Sequence, residues 1–363
     1  MLSPRNKRTL LQVLPFGIVS FIFSSTYSIV EKGILGNHPY YPSTGNPYNF
    51  IIFVPAVSAM VIGLFIGVFE VFYLNRWFRK SSFFRKIFFK TVVYLLLTTI
   101  AIFTIFVVSN AFELKTNLFD DQIWENGVKF FTDFAFWSIV LYFILGVIIC
   151  LFYTEVSDYI GQSVLLNFFT GKYHRPIEER RIFMFLDMRS STSIAEQLGH
   201  VSYFRMLKEY YVDLSEPIMR WGGEIYQYVG DEVIISWKVK KGLANNNCFR
   251  CFFAMQDHLG QQAQKYQAEF GVVPSFKAGI HLGEVTTGEI GVIKKEITFS
   301  GDVLNTTARI QGLCNEYQID LLVSEELTEV LHFGEAFQKR GLGEASLRGR
   351  SEKINLYTIE KRG

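Results

Sequence analysis

Cysteine and net charge are both scarce in this 363-residue chain, and each scarcity excludes something. The four cysteines, Cys150, Cys248, Cys251 and Cys314, have no framework spacing, and one lies inside an apolar run. That excludes a disulfide-stapled scaffold and points to a reducing, cytosolic setting for the C-terminal half. Cys248 and Cys251 have the spacing of a redox or zinc pair, but no second pair and no histidine cluster accompanies them. The helical periodicity of the residues that follow makes them two positions on one helix. A formal charge of +2, from 36 Lys and Arg against 34 Asp and Glu, gives no global attraction for nucleic acid. Apolar residues, by contrast, are abundant: the hydrophobic fraction is 49 % and 36 residues are Phe. An ordinary soluble enzyme of this size is less apolar, so part of the chain is expected in a membrane.

Four apolar segments, residues 10–30, 50–74, 87–108 and 134–153, are each close to the roughly 20 residues that cross about 30 Å of hydrocarbon. None carries a pore or transport pattern. A cleaved signal peptide competes for the first segment, but the segment is long, lacks a small-x-small cleavage site and ends in "IVEKG". Lys90, near the end of the third, is expected to snorkel to the interface. Arg5, Lys7 and Arg8 precede the first segment, and Arg76, Arg79, Lys80, Arg85 and Lys86 fill the loop between the second and third. The other two loops are poor in Lys and Arg, so both termini are expected in the cytoplasm. The predicted organisation is a four-helix transmembrane domain over 1–154, a linker or transducer helix over 155–180, and a soluble domain over 181–363. This places a multi-pass protein in the cell (inner or plasma) membrane with its C-terminal domain cytoplasmic. In the linker, Val156, Ile160, Val164 and Phe168 form a stripe at helical spacing, suited either to pairing with its copy in a second chain or to lying on the soluble domain.

The soluble domain interleaves strands and helices and reads as mixed α/β. "RIFMFLDM" is a short apolar strand ending in Asp187, and a helix follows whose start carries Ser190, Ser191 and Thr192, with free N–H groups suited to an anion. "GGEIYQYVGDEVIISWKV" is a hairpin with Asp231 at its tip. Each Asp alone is explained as a cap or a turn residue. Together, two carboxylates at one sheet edge beside a phosphate-friendly helix start suit Mg²⁺-dependent phosphoryl or nucleotidyl transfer. In "FSGDVLNTTARIQGLC", Asn305 and Arg309 are four apart and share a helix face, where an amide and a guanidinium can hold a ribose and a phosphate.

"FMFLDMRSST", "YVGDEV" and "GDVLNTTAR", in this order and at these separations, resemble the class III nucleotidyl cyclases, the adenylyl and guanylyl cyclase domain. The resemblance covers about residues 178 to 360 and implies a ferredoxin-like palm and a head-to-tail homodimer with composite sites. By motif position, Asp187 and Asp231 would hold two Mg²⁺ or Mn²⁺ ions on one chain. Asn305 would orient the ribose and Arg309 would stabilise the phosphate from the other. The substrate implied is a nucleoside triphosphate, whose 3′-hydroxyl attacks the α-phosphate and expels pyrophosphate. Arg348 matches a triphosphate-binding Lys of the family, with Arg350 as its substitute. The sequence departs from the family at the base pocket: Gln227 stands where adenylyl cyclases carry Lys, and Thr298 where they carry Asp, as in a large bacterial subgroup. Guanylyl cyclases use Glu and Cys at these places. A Gln amide both donates and accepts, so it serves adenine, guanine or a pyrimidine, and Thr298 favours ATP. A diguanylate cyclase would need a second glycine where Val229 stands and has no N-T-T-A-R helix. A catalytically dead nucleotide-binding sensor would not need the intact set Asp187, Asp231, Asn305 and Arg309.

Overall fold

The structure, a computed structural model, describes residues 4–35, 53–78, 81–347 and 353–362. It divides into two compact units, one of Asn6–Leu166 and one chiefly of Asn167–Gly363.

The first unit is helical: α1 (Pro4–Leu35), α2 (Phe53–Phe69), α3 (Phe83–Leu114), α4 (Asp121–Thr132) and α5 (Phe134–Ile160). Four stretches, Thr9–Ile34, Ala56–Leu74, Phe83–Phe112 and Phe136–Ile160, are long and apolar enough to cross a membrane. Their outward faces carry Ile18, Phe65, Leu96 and Leu141, all well exposed, a surface that only hydrocarbon solvates cheaply. The short helix α4 starts where Asp120 accepts the Gln122 N–H at 2.9 Å, and it buries Ile123 beside Val107 and Ala111 of α3.

Lys90 does not snorkel. It is fully buried and donates to Glu70 at 2.5 Å and to Glu155 at 3.1 Å. Tyr94 donates to the other Glu70 oxygen at 3.0 Å, and Lys86 to the other Glu155 oxygen at 3.1 Å. The expectation from position alone is overturned because carboxylates from two neighbouring helices reach the ammonium, and a buried charge is tolerated where it is paired. Glu70 opens a π-helical turn, Glu70–Leu74, which interrupts the regular helix where the carboxylate turns inward.

Helix α5 stops at Ile160, and Gly161, at a φ of +95° that L side chains rarely adopt, leads into α6 (Gln162–Thr170). The apolar stripe is therefore carried by two helices, Val156 and Ile160 on the first and Val164 and Phe168 on the second.

The second unit is built on one sheet with the order β2-β3-β1-β4-β6-β8-β7, and β5 pairs with β4. The strands are β1 (Ile177–Met188), β2 (Glu224–Val229), β3 (Glu232–Lys238), β4 (Phe276–Ile290), β5 (Glu296–Ser300), β6 (Leu321–Ser324), β7 (Phe337–Ser346) and β8 (Lys353–Lys361). Alternation along the strands sorts residues onto two faces. Ile182, Met184 and Leu186 of β1 pack with Val233, Ile235 and Trp237 of β3 under α7 (Ser191–Arg220), α8 (Asn247–Gln261) and α9 (Ala263–Phe270). Cys248 and Cys251 are buried on α8 within this core, as two residues of one helix. On the other face Phe183, Phe185 and Ile234 meet Val285 and Val303, the latter on α10 (Asp302–Gly312). Helix α10 comes close because β4 has a glycine there: a Cβ on Gly279 would lie 2.5 Å from the Gln311 nitrogen.

Candidate active site

Strand β1 ends by delivering Asp187 to the edge where α7 begins. Ser190 takes a left-handed conformation, φ 55°, to make that sharp turn, and Ser191 opens the helix. At this helix start Ser190 and Thr192 are exposed and Ser191 is half-buried. The neighbouring Arg189 is held elsewhere, donating to Asp320 at 2.8 Å and to the Ile319 carbonyl at 3.2 Å.

The β2–β3 hairpin brings Asp231 to the same place. Asp187 pairs in register with Glu232 across the β1–β3 ladder, which puts the neighbouring Asp231 close enough for its charge to act on the Asp187 carboxyl. Burial and the Asp231 charge both raise the Asp187 pKa, and Lys277 only partly offsets them. Glu232 is pushed up to about 6 by burial and then by Asp187 and Asp231. Two carboxylates this close repel, and a hard cation between them relieves that repulsion. An oxygen-only donor pair suits Mg²⁺ or Mn²⁺. Among the described residues no group of three or more His, Cys, Asp or Glu gathers to hold a metal.

Three contributors at this edge escaped the sequence reading. Lys277 lies 3.2 Å from Asp187, and the Gln311 amide donates to the same carboxylate oxygen, also at 3.2 Å. Tyr211 of α7 donates to the Gly230 carbonyl beside Asp231 and packs its ring on Tyr228 at 4.4 Å. The only cue for Lys277 is the β1–β4 register, which pairs it with Asp187, and register is not visible in a linear motif. Gln311 sits two residues beyond Arg309, at the end of a motif already singled out.

Asn305 and Arg309 lie on α10, but not on the face that serves Asp187. Gln311 is six residues past Asn305 and two past Arg309, so at about 100° per residue it points well away from both. Asn305 is exposed and Arg309 half-buried. Within one chain the structure thus brings Asp187 and Asp231 together and turns Asn305 and Arg309 outward. Gln227 is exposed on β2 and Thr298 half-buried on β5, and their neighbours Tyr226 and Phe299 touch with ring centroids 4.8 Å apart. Arg348 and Arg350 lie outside the described residues.

Residues 175–361, just over half of the chain, match the family described as the adenylate and guanylate cyclase catalytic domain. Adenylate cyclase 2 of Rhizobium meliloti (strain 1021) is 34 % identical over 209 residues, covering 58 % of this chain and 58 % of that protein. An adenylate cyclase of Anabaena cylindrica is 27 % identical over 188 residues, 50 % of this chain and 37 % of that one. The chain therefore spans less than two thirds of the length of these relatives. A solved structure of a bacterial light-regulated adenylyl cyclase has the same fold, with a TM-score of 0.51 at 21 % identity over 57 % of this chain and 60 % of that chain.

Proposed function

We propose, for a chain that belongs to the adenylate and guanylate cyclase catalytic domain family, that it is a membrane-anchored enzyme converting ATP to the 3′,5′-cyclic monophosphate and pyrophosphate. The observation that carries this reading is the convergence of Asp187 and Asp231 at one sheet edge while Asn305 and Arg309 occupy a separate, outward face of α10. Asp187 and Asp231 would hold two Mg²⁺ or Mn²⁺ ions per site, which when bound would screen the triphosphate and lower the pKa of the attacking 3′-hydroxyl. The helix start at Ser190, Ser191 and Thr192 offers N–H and O–H donors to the phosphates. Asn305 and Arg309 come from a second copy of the chain: the amide orients the ribose, and the guanidinium faces the charge that spreads over the α-phosphate as pyrophosphate leaves. Arg348 holds the triphosphate tail. Gln227 and Thr298 read the base.

The four apolar helices support a multi-pass anchor in the cell membrane, and the basic loop between the second and third spans supports cytoplasmic termini. The segment expected as a linker over 155–180 leads from the anchor to the catalytic domain, although α5 continues to Ile160 and the first strand of the sheet already begins at Ile177, and the anchor aids dimerisation. Purified protein is to be incubated with each of the four nucleoside triphosphates, in Mg²⁺ and then Mn²⁺, and the products weighed by mass spectrometry. A 3′,5′-cyclic AMP product is expected. A dinucleotide, or no product from any of the four, would overturn the assignment.

A further inference from the structure

Strand β2 carries a bulge directly before Gln227. Ile225 faces Ile235 across the β2–β3 ladder, and the next paired residue, Gln227, faces Ile234, leaving Tyr226 as the extra residue. Regular alternation would send Gln227 to the face of Ile225, which packs against the main core beneath α7 and α8. The bulge instead places it opposite Ile234, on the face where Phe183, Phe185 and α10 lie.

What holds the bulge is a braced aromatic pair. The Tyr226 ring packs on Phe299 of β5 at 4.8 Å, and its hydroxyl accepts the Phe299 N–H at 3.4 Å. Phe299 also meets Phe183 edge-on at 5.3 Å. Behind it the Arg181 guanidinium, 2 % exposed, lies 4.7 Å over the Phe299 ring, paired with Glu179 at 3.1 Å and with Glu224 at the start of β2. Phe299 follows Thr298 and Tyr226 precedes Gln227, so one contact fixes the neighbours of both base-reading residues.

We propose that Tyr226 and Phe299, braced by Arg181, are positioning residues that set nucleobase selection by holding Gln227 on the substrate face and β5 against β2. This rests on the assignment of Gln227 and Thr298 to the base. The bulge makes no contact with the metal-binding edge among the described contacts, so its disturbance changes which base is preferred more than how fast a bound nucleotide reacts.

The test uses the full chain with Phe299→Leu and Tyr226→Phe. For each variant, kcat/KM is measured for ATP, GTP, CTP and UTP, together with the Kd of the four 3′-deoxynucleoside triphosphates, which bind but lack the attacking hydroxyl. We expect the ratio of the best to the second-best base to shrink about tenfold in Phe299→Leu and less in Tyr226→Phe, which keeps the ring. An equal fall for all four nucleotides, with that ratio unchanged, would mean the pair is merely structural and sinks the proposal. If Phe299→Leu does not fold, the Tyr226→Phe ratio decides alone. A wild-type protein that cycles no nucleotide would defeat the cyclase assignment, while the binding ratios would still decide for or against the positioning role.

Discussion

In the helical unit Lys90 lies between Glu70 and Glu155, and Tyr94 and Lys86 close the remaining carboxylate oxygens. In the sheet unit Asp187 and Asp231 share one sheet edge, and among the described contacts Lys277 and Gln311 reach Asp187. Both clusters remove carboxylates from full hydration, yet the first supplies partners to every carboxylate oxygen it buries and the second leaves a surplus of negative charge at an accessible edge. A satisfied network holds helices in place and excludes ligands. An unsatisfied one keeps a repulsion that a bound cation would relieve. The contrast is between buried charge that is fully paired and charge that is not, within a single chain.

Removing a carboxylate from the second cluster should have the largest effect. Asp231→Ala is expected to lower turnover at least about a thousandfold, with loss of Mn²⁺ binding followed by electron paramagnetic resonance. Full Mg²⁺-dependent turnover in that variant would refute the metal assignment. The outward face of α10 sharpens the comparison further. Asp231→Ala and Arg309→Ala chains, each inactive alone, should regain about a quarter of wild-type activity when mixed as unfolded chains and refolded, because a heterodimer contains one intact site. No recovery, with heterodimers verified by differential tagging, would mean that both residues act within one chain.

Breaking the satisfied cluster should instead cost stability. Lys90→Met leaves Glu70 and Glu155 buried without their ammonium and is expected to destabilise the helical unit by about 3–5 kcal/mol, read from unfolding in detergent micelles. Adding Glu70→Gln and Glu155→Gln should recover most of that loss. If the single variant unfolds like wild type, the cluster is not dry.

The smallest effect is the pH response of the metal-free protein. Asp187 and Glu232 are shifted upward by burial and mutual repulsion, Glu232 to about 6. Groups whose folded pKa exceeds the unfolded value bind protons preferentially in the folded state. Stability of the sheet unit is thus expected to fall as pH rises from about 4.5 to 6, and saturating Mg²⁺ should abolish that fall. A metal-free unfolding midpoint that rises across this window would contradict the repulsion between the carboxylates.

Much of this molecule was legible in its residues because the signals were local. Apolar run length picked out the four spans. The hairpin around Asp231 and the helices after Asp187 and Asp302 followed from period and turn chemistry. Lys90 was misread because a sequence window sees its position along one helix and not the carboxylates of α2 and α5 that enclose it. The stripe from Val156 to Phe168 kept its spacing, but the helix did not, since Gly161 breaks it. Lys277 and Tyr211 escaped for the same reason as Lys90, their partners being distant in sequence.

The sequence by itself determined the family and the division into an apolar helical half and a mixed α/β half, and it singled out Asp187 and Asp231 as candidates, since each rests on residue type and short-range spacing. Only the tertiary structure decided that Asp187 and Asp231 meet, that Asn305 and Arg309 turn away from them, and that a bulge carries Gln227 to the opposite face. These depend on strand register and helix rotation, where a shift of one residue reverses which side a side chain serves.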